Sequence, residues 1–137
     1  MGYFYIGGKT NQKTNGYLKI GETNQKYLSQ RVGHIRMHEG NFVVFKYLEI
    51  PDSTLSMTRA IEGHVRLMLE WGGWHQVQND HFTCAITPET RDEIYQKFTE
   101  EAVRYACEYC DMTGIKYTVK KAKENARKNH RPREKRA

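Results

Sequence analysis

Four polar positions stand out for the chemistry their side chains could perform together: Tyr5, either Tyr17 or Lys19, Arg31 and Glu62. In NGYLKIGET, residues 15–23, side chains alternate between faces, so Leu18 and Ile20 point to a core while Tyr17, Lys19 and Gly21 share the other side. A half-buried strand is expected there, with any chemistry on the Tyr17–Lys19 face. Glu62 falls between Leu55 and Leu69 at the edge of an apolar helical stripe, which makes it a partly buried carboxylate. Such a group needs a cation, which could be Arg66 one turn later, Arg31 from a neighbouring element, or a metal ion. Arg31 flanks Leu28 and Ile35, with His34 and His38 on its own side of the helix, a pattern a solvated face also explains.

The elements that must position these residues follow from periodicity and turn signals. YFYIGG (3–8) and YLKIG (17–21) flank the turn-rich GGKTNQKTNG and read as a hairpin that brings the Tyr3–Tyr5 face beside Tyr17 and Lys19. A helix follows from about Asn24 to Gly40, built on Leu28, Val32 and Ile35. NFVVFKYLEIP is a third strand. Asp52 or Ser53 can cap a second helix with Met57, Ile61, Val65 and Met68 inward. HFTCAI is a short strand candidate, and Thr87-Pro88 opens a third helix over 88–110 carrying Ile94, Phe98, Ala102, Tyr105 and Tyr109.

With 137 residues and 38% hydrophobic content, the chain holds one compact core. No stretch approaches a membrane span or has a signal-peptide layout, so a cytoplasmic protein without a membrane partner is expected. Three cysteines, Cys84, Cys107 and Cys110, make no even disulfide framework and are expected as thiols. The lone CxxC at Cys107–Cys110 would need two more ligands for zinc, with Cys84 and His130 the candidates.

The formal charge of +6 is uneven. Residues 1–110 carry 12 Lys/Arg against 13 Asp/Glu, whereas residues 111–137 carry 10 against 3. A domain over 1–110 with a basic tail over 111–137 is therefore expected. Lys116, Lys120, Lys121, Lys123, Arg127 and Lys128 are candidate phosphate contacts, binding without sequence preference and weakening with salt. A solubilising end is the plainer alternative.

Tyr3-Phe4-Tyr5, then Lys19-Ile20-Gly21, then the arginine of LSQR and the glutamate of AIEGH, resemble the motifs of a GIY-YIG nuclease domain. More narrowly, the chain resembles the phage-type branch in which KIG stands where YIG would be, over about residues 2–87. The resemblance implies an α+β fold: a small, mainly antiparallel three-stranded sheet flanked by helices, matching the β-β-α-β-α order above, with a C-terminal helix added. It also implies an endonuclease, bacterial or phage-encoded, that hydrolyses phosphodiester bonds in DNA with one divalent metal, Mg2+ or Mn2+. Carried over by residue, Tyr5 takes the place of the first motif's tyrosine, Lys19 that of the second motif's tyrosine, Arg31 the arginine and Glu62 the metal-binding glutamate.

Those residue types suit the chemistry. A hard carboxylate suits Mg2+, which keeps most of its waters. Arg31 offers a planar charged fork to the scissile phosphate. An unperturbed phenol titrates near ~10, so Tyr5 needs activation. Lys19 could supply it, as an ammonium that favours phenolate or as a desolvated amine that takes the proton. The alternative is a lysine on the solvent face of an edge strand.

Several positions depart from the family pattern. Tyr17 is the alternative second-motif residue. Glu22 is an awkward carboxylate to hold near phosphate. Asn79 is a candidate for a late asparagine, and His34 or His38 for a further phosphate contact. A homodimer would allow cutting of both strands. The rival to an active nuclease is a DNA-binding or regulatory module of the same fold without catalysis.

Overall fold

The computed structural model describes residues 1–78 and 81–122. The first two strand stretches form the expected hairpin, β1 (Gly2–Lys9) pairing antiparallel with β2 (Asn15–Thr23). Then follow α1 (Leu28–Glu39), β3 (Phe42–Ile50) and α2 (Leu55–Trp71), in the order the sequence pattern gives. Beyond them lie β4 (His75–Val77), β5 (His81–Ala85), α3 (Arg91–Thr113) and β6 (Thr118–Lys121).

The fold is α+β, but its sheet has six strands rather than three, ordered β4-β5-β2-β1-β3-β6 with every neighbouring pair antiparallel. The three expected strands are the centre of this sheet, and the HFTCAI candidate joins them as β5. The additions answer a backbone requirement, because β2 and β3 alone would present rows of unpaired N–H and C=O groups. β5 pairs β2 from Asn15 to Leu18, and β6 pairs β3 from Lys46 to Glu49. The first part of the basic segment is thus ordered, its residues to Thr113 in α3 and Thr118–Lys121 at a sheet edge.

Local hydrogen bonds move three helix starts. α1 begins at Leu28 rather than near Asn24, because Thr23 Oγ1 accepts from Gln25 N at 3.1 Å and ties the chain into a turn. Thr54, not Asp52 or Ser53, caps α2 by accepting from Met57 N at 3.2 Å. Thr87-Pro88 makes a preceding turn, with Thr90 N donating to Thr87 O at 3.1 Å, and α3 starts at Arg91.

The sheet is covered on both faces. Phe4, Ile6, Leu18, Ile20, Leu48 and Ile50 meet Ile61, Val65 and Leu69 of α2 and Phe98, Ala102 and Ala106 of α3. On the other face Ile35 of α1 packs with Tyr5, Tyr17 and Phe42. β2 is therefore not half-buried: α1 covers its second side, and Lys19 is only 8% exposed. Among the described residues no helix is long and apolar enough to cross a membrane.

Phe98 sits at the centre of the larger core, its ring 5.0 Å from Trp74 and 5.2 Å from Phe82. Phe98→Ala is expected to cost about 3–5 kcal/mol in urea denaturation. Trp71→Ala, at a position 75% exposed, should change stability by no more than about 0.5 kcal/mol.

Candidate active site

Among the described residues β5 pairs β2 from Asn15 to Leu18, and Lys19 and the residues after it lie beyond the last described pair. Strand alternation sends Lys19 and Gly21 to the α1 side of β2 and Ile20 and Glu22 to the α2 side. Side chains from both layers can meet there. A recess of about 200 Å3 beside this part of β2 is lined by Tyr5, Lys19, Arg31 and Glu62, together with Ile20, Gly21, Glu22 and Arg66. The four positions singled out by the sequence motifs thus line one cavity, reached from β1, β2, α1 and α2.

Tyr5 is fully buried and lies directly opposite Gly21 in the β1–β2 register. A Cβ on Gly21 would collide with the Tyr5 phenol, which explains why a glycine follows Lys19-Ile20. Arg31 Nε donates to the Tyr5 hydroxyl oxygen at 3.3 Å. Burial pushes the Tyr5 phenol above its ordinary range, opposed first by the Arg31 guanidinium and then by Lys19.

Lys19 stands opposite Gly7, one diagonal step from Tyr5, and it is not on a solvent face. Its Nζ forms an ion pair with Glu39 Oε2 at 2.7 Å. The Tyr17 hydroxyl donates to the other oxygen of the same carboxylate. Tyr17 also stacks on His81, with ring centroids 4.2 Å apart, and receives Lys9 Nζ 4.3 Å from its ring centre. It does not line the recess. Glu39 is the residue that sequence reasoning missed; the signal was available in the spacing Arg31–Ile35–Glu39, which puts all three on one helical face.

Glu62 is 16% exposed at its side chain and pairs with Arg66 one turn later on α2. Burial pushes its carboxyl upward, Arg66 acts against that shift, and the charge of Glu22 adds to it. Glu22 itself accepts from Thr58 Oγ1 at 2.8 Å and lies 3.9 Å from Arg59 Nε. Its carboxylate belongs to the α2 side of the site, where it neighbours Glu62.

His34 and His38 are exposed and line an adjoining recess of about 390 Å3 with Lys19, Arg31 and Glu39. Lys120 and Lys121 sit on β6, three strands from β2, with Lys120 Nζ 3.7 Å from Glu49, while Lys116 is exposed just before that strand. Asn79, Lys123, Arg127 and Lys128 fall outside the described residues.

No group of three His, Cys, Asp or Glu side chains suited to a metal occurs among the described residues. The oxygen donors Glu62 and Glu22 nonetheless fit Mg2+, which takes one or two carboxylates and keeps the rest of its shell as water. A dication would also offset the repulsion between them. The cysteines fit zinc poorly, since burial raises all three thiols, Cys110 to about 11.

The close approach at Gly21 has a measurable consequence. Gly21→Ala is expected to cost on the order of 1–3 kcal/mol by overpacking against Tyr5. Gly63→Ala, where the added methyl meets nothing within 4 Å, should gain about 0.5–1 kcal/mol by helix propensity. Equal effects in thermal denaturation would rule out the proposed packing.

Comparison of the chain with family models, with curated proteins and with solved structures finds no match, so its function has to be read from the residues themselves.

Proposed function

We propose that the chain is a metal-dependent endonuclease that hydrolyses phosphodiester bonds in DNA. One observation carries this reading: Tyr5, Lys19, Arg31 and Glu62 line a single recess beside β2. A cluster holding a carboxylate, a guanidinium, an ammonium and a phenol has the groups that phosphoryl chemistry uses.

Glu62, with Glu22 beside it, would hold Mg2+ or Mn2+, which when bound neutralises phosphate charge and presents a polarised water. Arg31 spends only its Nε on Tyr5, which leaves its terminal amino groups for the scissile phosphate. Tyr5 takes the proton of the attacking water. Its burial opposes that role, and Arg31 and Lys19 favour it by stabilising phenolate. Paired with Glu39, Lys19 acts as a cation and not as the proton acceptor. Because the Tyr5 phenol sits above its usual range, the phenolate fraction and the cleavage rate rise with pH across the neutral region.

The Glu62–Arg66 ion pair favours a second reading, a DNA-binding module of the same fold in which the carboxylate has only a structural partner. Supercoiled plasmid and single-stranded DNA incubated with Mg2+ or Mn2+ separate the two. Cutting that disappears in Glu62→Gln supports the nuclease; binding without cutting under both metals supports the module.

Three further outcomes follow for an active protein. Lys19→Met should slow single-turnover cleavage by roughly 100-fold, and a rate equal to the parent's would exclude its role. Tyr5→Phe should abolish the rise of rate with pH; a preserved slope would assign the proton to another group. Truncation after Ala122 keeps β6 and removes seven Lys/Arg against two acids, so DNA affinity should fall and its salt dependence flatten.

A further inference from the structure

Tyr27 stands at the start of α1 with its side chain 55% exposed. Helix capping does not account for the ring. The α1 start is held by its backbone, with Tyr27 N donating to Gln30 Oε1 at 3.2 Å and Gln30 N to Tyr27 O at 3.1 Å, and the Tyr27 side chain makes no cap hydrogen bond. An exposed tyrosine ring beside a cation offers an apolar face on which a planar group can stack.

Its surroundings point to the partner's chemistry. Lys26 Nζ lies 5.4 Å from the Tyr27 ring centre. The backbone at Lys26 is fixed to the sheet, since its carbonyl accepts from the Tyr3 hydroxyl at 3.2 Å. Tyr3 in turn meets the half-buried Tyr47 edge-to-face, with ring centroids 6.1 Å apart. Tyr3 thus links the Lys26–Tyr27 segment to Tyr47 through one hydrogen bond and one ring contact.

This aromatic group adjoins the candidate active site on two sides. Tyr27 is one helical turn before Arg31 and shares its side of α1. Through the sheet, Lys120, Tyr47, Tyr5 and Gly21 form one row across β6, β3, β1 and β2. At about 4.8 Å per strand spacing, Tyr47 is roughly 10 Å and Lys120 roughly 14 Å from Gly21. Glu49, the acid in this region, has its charge met by Lys120.

We propose that Tyr27, with Tyr47 and the Lys26 ammonium, is a stacking platform for an unpaired base of the strand whose phosphate enters the Arg31–Glu62 recess. Every base has an apolar face that can stack on tyrosine, and the neighbouring phosphates are anions that Lys26 can meet. In a duplex those faces are already stacked on one another. The platform therefore gives the site a preference for single-stranded or locally opened DNA. Delivery of the strand to a cutting centre rests on the proposed nuclease activity, whereas stacking on Tyr27 requires no cleavage.

Fluorescence anisotropy of a labelled oligothymidylate and of a labelled hairpin duplex, in EDTA so that nothing is cut, tests the proposal on the full chain. Tyr27→Ala should weaken oligothymidylate binding roughly 5- to 100-fold, leave duplex binding unchanged and leave the salt slope unchanged, because no phosphate contact is lost. Tyr27→Phe, which keeps the stacking face, should bind as the parent does. Unchanged oligothymidylate affinity in Tyr27→Ala, equal losses on both substrates, or a parent protein that binds neither would overturn the platform. A parent that loses single-strand affinity through Tyr27→Ala yet never cuts DNA with metal would uphold the platform and sink the nuclease reading alone.

Discussion

The absence of a side chain at Gly21 lets the Tyr5 phenol lie across β2, and the candidate site is arranged around that close approach. β1 is the inner strand that pairs with β2 on one side and β3 on the other, and it is buried along nearly its whole length. Tyr5 is consequently fixed in position by packing rather than by its polar contacts. Arg31 then reaches its hydroxyl from α1, and Glu62 approaches from α2 on the far side of the sheet. Groups from the two helical layers meet beside β2 beyond Leu18, past the last described β2–β5 pair.

Electrostatics explains why each charged group has a neighbour. Lys19 and Glu62 are both largely withdrawn from water, where an unpaired charge is costly. Glu39 meets the first and Arg66 the second. The same pairing leaves the site with both signs of charge in a small volume, so a phosphate, a metal ion and a phenolate can each be stabilised without large rearrangement. The cost is competition: Arg66 holds the carboxylate that a metal ion would use, and metal binding has to displace or share that contact.

The sequence made the order β-β-α-β-α legible because Leu18 with Ile20, and Ile61 with Val65, carry the two periodicities clearly. Tyr5, Lys19, Arg31 and Glu62 could be named because each sits at a distinctive place on its element. Lys19 shows where such reading stops. Alternation put it opposite the core face correctly, but α1 buries that face, and nothing local to β2 says which helix will cover it. The spacing Arg31–Ile35–Glu39 puts Glu39 on the site's helical face, but its pairing with Lys19, twenty residues away, is not local to either element. Of the three added strands, β5 coincides with the HFTCAI candidate, whereas β4 and β6 are short and β6 is wholly exposed, so these two give no hydrophobic pattern and are formed by backbone pairing.

The central claim is that Arg31 and Glu62 serve one chemical centre. Single-turnover cleavage of a labelled oligonucleotide at saturating Mn2+ tests it most directly, comparing the parent, Arg31→Ala, Glu62→Gln and the double variant. Residues that act as a unit lose their effect together, so the double variant should cleave no more slowly than the slower single variant. Losses that multiply, as independent sites require, or cleavage that none of the three variants impairs, would contradict a shared centre beside β2.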